Sequence, residues 1–422
     1  MSAGLSVGTE VTSAHSRPAR RMPFWAWPLM LAAAIVVIAI VREITGKDDI
    51  FSSGTLSAAL AWAMPLALAG LGGLWSERAG VINIGLEGMM ILGTWGAAFG
   101  AIHGGPWMGV LGAIVCGALG GLVHAMATVT FGVDHIVSGV ALNIVALGVA
   151  SYLAARFFGD LEGGSDVQSP PLPDLPRVGV PGLSGPLGSL EDRGWFFISD
   201  VAALLRAMTT DLSILTVVAL LLFVGTWWVL WRTAFGLRVR SCGESPSAAE
   251  TLGVNVLLYK YIAVTASGGL AGLGGGFLAM VASSAYREDQ TGGRGYIGLA
   301  AMIFGNWRPG GVLMGSGLFG YTDALQLRGG GEAVHALLLL VGAILLGIGI
   351  WQIARHGRMI QGAIAIVVGI GVVVLWMFSD TIAGDFTRFA PHLTTLLVLA
   401  FASQRLRMPA ANGKVYRRGE GA

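Results

Sequence analysis

Leu68-Ala69-Gly70-Leu71-Gly72-Gly73 recurs letter for letter as Leu270-Ala271-Gly272-Leu273-Gly274-Gly275. Each copy lies inside an apolar run long enough to cross a bilayer, about 54–75 for the first and 259–281 for the second. A second match follows each copy, Ile84-Gly85-Leu86 with Met89 against Ile297-Gly298-Leu299 with Met302. Glycine in apolar surroundings lets helix backbones touch, so the hexapeptide reads as close packing and its recurrence as an internal repeat.

The rest of the chain has the same character. Of 422 residues, 54% are hydrophobic and only 12% charged, about half the charged share of a soluble domain. That excludes a water-soluble enzyme. Glycine contributes 65 residues with no G-X-Y period, roughly twice its usual ~7%. Apolar runs lie at 24–41, 54–75, 83–102, 108–131, 136–157, 211–231, 259–281, 296–307, 309–328, 336–353, 361–379 and 389–404. The fold expected is an all-α polytopic membrane protein with about twelve membrane segments. The first run ends at Arg42-Glu43 without a small-x-small cleavage site, so it reads as a retained helix rather than a signal peptide. A net charge of +2 points to no nucleic-acid partner, and the separated Cys116 and Cys242 read as packing residues.

Arg17, Arg20 and Arg21 place an N-terminal tail, 1–23, in the cytoplasm. Alternating sides from there puts 158–210 outside, with Asp160, Glu162, Asp166, Asp174, Glu191, Asp192 and Asp200 and few bases. Its six prolines between Pro170 and Pro186 read as an irregular loop. Residues 232–258 then fall inside with Arg232, Arg238 and Arg240, as do Arg355, Arg358 and a basic tail, 405–422. These loops obey the positive-inside rule, so both termini are expected in the cytoplasm around a transmembrane domain 24–404. On this count the two hexapeptides cross in opposite directions. Inverted repeats characterise transporters, whose substrate path lies at the repeat interface near midplane.

The segment Tyr296 to Trp307 is too short to cross, since twelve helical residues reach ~18 Å against a core ~30 Å thick. Asn306-Trp307-Arg308-Pro309-Gly310-Gly311 then breaks the helix. Residues 296–328 therefore read as a re-entrant-like pair with a turn at membrane depth.

No G-x-x-x-x-G-K-[ST] loop, H-E-x-x-H or Cys/His cluster is present, so no catalysis, metal or cofactor is expected of this chain. In the cytoplasmic stretch Gly243 to Gly253, Ser245 reads as an N-cap, Pro246 as the first helical residue and Gly253 as the stop. The helix 246–252 is too short to stand alone and needs something to hold it. Arg238 and Arg240 beside it offer charge to acidic groups of a partner, and Glu244 and Glu250 belong to the same stretch.

Ser76-Glu77-Arg78-Ala79-Gly80-Val81-Ile82-Asn83-Ile84-Gly85-Leu86-Glu87-Gly88-Met89-Met90 resembles the signature of permease subunits of bacterial nucleoside-type ABC importers, in the ribose and simple-sugar permease group. Segments 243–253, Ser267 to Gly276, Gly293 to Pro309 and Arg405 to Tyr416 resemble the same family. The resemblance implies a bacterial plasma-membrane subunit, embedded in lipid, that moves a nucleoside or simple sugar by alternating access. It implies an ABC ATPase that binds ATP-Mg, an extracytoplasmic solute-binding lipoprotein and often a second, non-identical permease. Segment 246–252 takes the place of the family's coupling helix. Residues 336–379 supply two segments the family pattern does not require, and read as an inserted helix pair.

A path for a neutral polar solute must replace some water hydrogen bonds, which amides and aromatic rings do. Asn83 and Glu87 are four apart and share a face in a helix. A carboxylate at membrane depth faces a cavity or a partner; for Glu87 the alternatives are the path, a salt bridge with Arg78 or a helix-end hydrogen bond. Asn143 reads as a path residue or an interhelical bond. Asn306 and Trp307 lie at the proposed turn, where a solute ring has an indole to stack on, and Tyr296 opens the same short helix; interfacial aromatics are the alternative. A rival function, an ion- or proton-coupled secondary transporter, uses the same repeat and Glu87.

Overall fold

The computed structural model describes residues 26–357, 359–382 and 406–419. The N-terminal tail 1–23 and the apolar run 389–404 lie outside the described residues. Each apolar run within them coincides with a helix: α1 (Ala26–Thr45), α2 (Ser53–Arg78), α3 (Leu86–Gly104), α4 (Pro106–Ala125) and α5 (His135–Phe158). After a long connection come α6 (Ser184–Glu191), α7 (Ile198–Thr209), α8 (Ile214–Arg232), α9 (Ala234–Glu244) and α10 (Pro246–Thr251). The chain ends with α11 (Val256–Phe277), α12 (Arg294–Phe304), α13 (Pro309–His356) and α14 (Met359–Phe378). Gly330, at φ 55° and ψ −143°, divides α13 into two arms. Among the described residues seven helices are long and apolar enough to cross a membrane: α2, α5, α8, α14, the second arm of α13, and α4 and α11 with the π turns that extend them.

The glycines explain how these helices fit. A Cβ on Gly272 would stand 2.3 Å from the Ala113 carbonyl oxygen, and one on Gly93 would stand 2.2 Å from the Gly272 oxygen. Helices α3, α4 and α11 therefore cross backbone to backbone, the small-residue contact that replaces a hydrophobic driving force in lipid. The two hexapeptides belong to helices that pack together. Gly72 lies against the Ser267 carbonyl and Gly274 against the Pro65 carbonyl, so α2 and α11 run antiparallel.

The connection 158–213 is more ordered than its prolines suggest. It carries α6, α7 and an antiparallel ladder, Arg177–Val178 with Leu212–Ser213. Pro186 lies in the first turn of α6, where a missing N–H costs nothing. What holds these helices is distant in sequence. Asp200 of α7 pairs with Arg42 of α1 at 2.9 Å, and Glu191 accepts from Ser53 N–H at 2.7 Å and Arg206 at 2.9 Å. Burial raises the Glu191 carboxyl, but the Ser53 N–H and Arg206 outweigh it and leave the group below its ordinary range.

Candidate functional site at the ends of the short helix

Residues 79–85, between α2 and α3, are unwound and held from every side. Ser76 Oγ donates to the Val81 oxygen at 2.6 Å. Ile82 N–H donates to His135 Nδ1 at 3.2 Å, and His124 Nε2 meets the Ile82 oxygen at 3.0 Å. Asn83 is fully buried and donates to Ser267 Oγ on α11 at 2.9 Å. The two histidines thus position this turn.

At the start of α3, Glu87 reaches the start of α12. Its carboxylate accepts from Gly293 N–H at 2.9 Å and Gly295 N–H at 2.6 Å. These belong to the unpaired donors that begin every helix, and a carboxylate there also meets the positive end of the helix dipole. Gly295 makes the approach possible, since a Cβ on it would stand 2.6 Å from the Glu87 backbone. Of the two structural alternatives for Glu87, the helix-end hydrogen bond is formed and the salt bridge is not; Arg78 instead donates to the Trp307 carbonyl at 3.1 and 2.6 Å. Asn143 of α5 completes the junction. Its oxygen accepts from Gly88 N–H at 2.8 Å, and its amide donates to Ile84 O at 3.1 Å and Tyr296 Oη at 2.8 Å. Asn83, Glu87, Asn143 and Tyr296 therefore gather where α3, α5, α11 and α12 meet.

Asn306 and Trp307 are elsewhere, at the other end of α12. Gly298 packs on Leu66 and Gly70 of α2, whereas Trp307 Nε1 donates to Glu77 at 2.7 Å, so α12 runs beside α2 toward its last turn. The turn 305–308 lies level with the end of α2, not at depth as the sequence suggests. It is the beginning of α12 that lies inside the helix packing. Trp307 is 3% exposed and offers no face for a solute. Asn306 accepts from Arg407 N–H at 2.7 Å, and Asn412 donates to Glu77 at 2.8 Å.

The same tail reaches α9 and α10. Ala411 N–H donates to Gly243 O at 2.9 Å, Ala410 N–H to Glu244 at 3.2 Å, and Gly413 N–H to Gly80 O at 3.3 Å. Arg418 lies 3.4 Å from Glu250. The Tyr416 hydroxyl holds the Glu250 carboxyl below its ordinary range, and burial together with Glu250 pushes the Tyr416 phenol up to about 12. In α10 itself, Pro246 occupies the first turn and Gly253, at φ +80°, ends the helix with its N–H on Glu250 O at 2.8 Å. Ser245 stands at the N-cap position, but its side chain forms no capping bond; the chain entering from α9 turns on Ser245 N–H to Ser241 O at 2.9 Å. Arg238 is exposed and donates to Tyr259 Oη at 2.9 Å. Arg240 lies over the Trp231 ring, 5.7 Å from its centre, beside Arg78 at 5.3 Å. Leu252, just after α10, is 85% exposed.

Glu77, Asn412, Ser267, His124, His135 and Tyr416 are thus site residues that sequence reasoning misses. Glu77 carries a signal, an acid inside the signature stretch beside Arg78, and Ser267, Asn412 and Tyr416 lie in the other stretches that resemble the family.

A family model described as branched-chain amino acid transport system / permease component matches residues 55–349. The chain is 33% identical over 371 residues to the guanosine ABC transporter permease protein NupQ of Bacillus subtilis, covering 86% of this chain and 96% of that protein. It is 34% identical over 283 residues to the nucleoside ABC transporter permease protein NupC of Lactococcus lactis, covering 64% and 81%. An ABC transporter permease protein of Haloferax volcanii named for glucose, TsgC13, is 33% identical over 374 residues, covering 87% and 98%. No solved structure matches the chain.

Proposed function

This chain belongs to the permease family described as branched-chain amino acid transport system / permease component, and from its guanosine- and nucleoside-named relatives we propose that it carries a nucleoside inward, driven by ATP. As an ABC permease it is a multi-pass cell-membrane subunit and not an enzyme; the ATPase is a separate subunit. Two of the three relatives carry nucleoside names and one, at a similar 33% identity, a glucose name, so the nucleoside reading leads and a competition experiment decides between them. In this reading a solute-binding lipoprotein delivers the solute from outside, a second permease subunit completes the path, and both termini face the cytoplasm across twelve membrane segments. The antiparallel packing of α2 and α11 supports an inverted repeat.

One observation carries the mechanism. The surface around α10 is tied by the tail to the cytoplasmic end of α12, and the other end of α12 is tied by Glu87 to α3. Movement of an ATPase against α10 passes through Glu244 and Glu250 to residues 410–419, then from Asn412 through Glu77 of α2 to Trp307, and from Arg407 to Asn306 beside it. From there the short helix carries it to the junction of Glu87, Asn143 and Tyr296, where the path opens to alternate sides. Glu87, Asn143 and Asn83 hold the half-helices in place, and Asn306 and Trp307 fasten the force-bearing end. The proton-coupled rival asks Glu87 to exchange protons, yet both its oxygens are engaged by backbone N–H groups.

The test of substrate class is competition. Cells lacking their own nucleoside uptake, given this chain with its ATPase, binding protein and second permease, should take up labelled guanosine, and unlabelled nucleosides should displace it where glucose does not. Displacement by glucose alone would overturn the nucleoside assignment.

A further inference from the structure

We propose that α7 is an interfacial helix whose outer face lies in lipid at the membrane boundary, at the end of α2 away from α10. Its residues are set the wrong way round for water. Ile198, Leu205 and Met208 fall on one side of the helix and are exposed, Leu205 by 46% and Met208 by 53%. The polar residues point the other way. Ser199 Oγ donates to the Leu190 carbonyl at 2.8 Å, the fully buried Asp200 pairs with Arg42 of α1 at 2.9 Å, and Arg206 reaches Glu191 at 2.9 Å. Ala202, Ala203 and Ala207 fill the rest of the inward face. A helix bathed in water buries its large apolar residues and shows its charges. Since α7 does the opposite, the medium it faces is apolar.

Its position identifies that medium. Asp200 is fastened to the last turn of α1, Glu191 accepts from the N–H of Ser53 at the start of α2, and α8 begins at Ile214 soon after α7 ends at Thr209. Both α2 and α8 are long and apolar enough to cross a membrane, so α7 lies level with the ends of spans, where hydrocarbon gives way to headgroups. Trp195 and Phe196, just before α7, are exposed as well, and the Arg193 guanidinium stands 4.9 Å from the centre of the Trp195 ring. Aromatic rings beside a cation are what anchor a helix at headgroup depth. The stripe itself carries no charge, unlike the mixed surface on which a soluble partner docks and leaves. Seated in lipid, α7 holds the start of α2 at a fixed depth through Glu191.

The experiment places a nitroxide on Leu205→Cys or Met208→Cys in the complete transporter in lipid nanodiscs, with Cys116→Ser and Cys242→Ala in the background. Collisions are read with oxygen, which partitions into lipid, and with a nickel chelate, which stays in water. Leu119→Cys on the exposed side of α4 is the lipid reference and Asp192→Cys the water reference. Positions 205 and 208 should give an oxygen-to-nickel ratio within about twofold of Leu119 and about tenfold above Asp192, with or without the binding protein. A ratio like that of Asp192 would overturn the proposal. So would nickel access lost only when the binding protein is added, which would give the stripe to that partner, or access to neither probe, which would bury it against the second permease. With the native cysteines kept, a benzophenone side chain at position 205 should form adducts with lipid on illumination; adducts with protein alone would equally overturn the assignment.

Discussion

Glu87 of α3 closes the beginning of α12 by accepting from Gly293 N–H, 2.9 Å away, with the neighbouring Gly295 N–H at 2.6 Å. A helix end buried in protein normally finds its acceptors locally; here a carboxylate from another helix supplies both. Glu87→Ala leaves two N–H groups unpaired, that of Gly295 buried and that of Gly293 partly so, and hydrogen bonds to charged groups contribute about 1.5–3 kcal/mol each. The variant should therefore melt well below the unaltered protein in detergent, with Glu87→Gln between the two. Equal melting temperatures for Glu87→Ala and the unaltered chain would contradict the capping role.

Gly272 tests the packing. A Cβ there meets the Ala113 oxygen at 2.3 Å and Gly117 Cα at 2.7 Å, both backbone atoms that cannot turn aside. Gly272→Val should abolish monodisperse protein on size-exclusion chromatography. Gly148→Val, at a position with no neighbour within 4 Å, should not.

The tail supplies a pH dependence. Glu250 is depressed below its ordinary value of 4.5, chiefly by the Tyr416 hydroxyl. A depressed carboxyl contributes stability above its unfolded value and loses it as pH falls through the folded one. The tail should thus be held firmly at neutral pH and loosen below about pH 4.5, and Tyr416→Phe should loosen it at neutral pH as well. Protection factors for 406–419 from hydrogen exchange report this directly; values that do not change with pH or with the substitution would argue against the tie.

These particulars show what the letters could and could not convey. The helices were legible because apolar run length and glycine spacing act locally, and Gly272 is in contact for the reason its hexapeptide suggests. The depth of α12 was not. A twelve-residue segment says that it cannot cross, not which end lies deep, and that is settled by Trp307 meeting Glu77 across most of the chain. Helices α6 and α7 were hidden in the same way, since Arg42 and Ser53 hold them from far upstream. Glu87 stood out as a costly carboxylate, but its partners are backbone N–H groups, which no residue type announces. Ser245 has the right chemistry for a cap and sits at the right position, yet its hydroxyl makes no bond to the helix.

Leu252 offers a test of the docking surface. An 85% exposed leucine at the end of a six-residue helix is apolar area with nothing on it. Leu252→Glu should insert into membranes and fold normally, yet copurify with the ATPase at a small fraction of the normal yield. Full recovery of the ATPase would separate α10 from the coupling role.

The most direct measurement is uptake of labelled nucleoside into proteoliposomes, with and without the ATPase, under ATP or under an imposed proton gradient. The importer reading predicts accumulation only when ATPase, ATP and loaded binding protein are all present. Accumulation by this chain without the ATPase, driven by the proton gradient and abolished in Glu87→Gln, would contradict it.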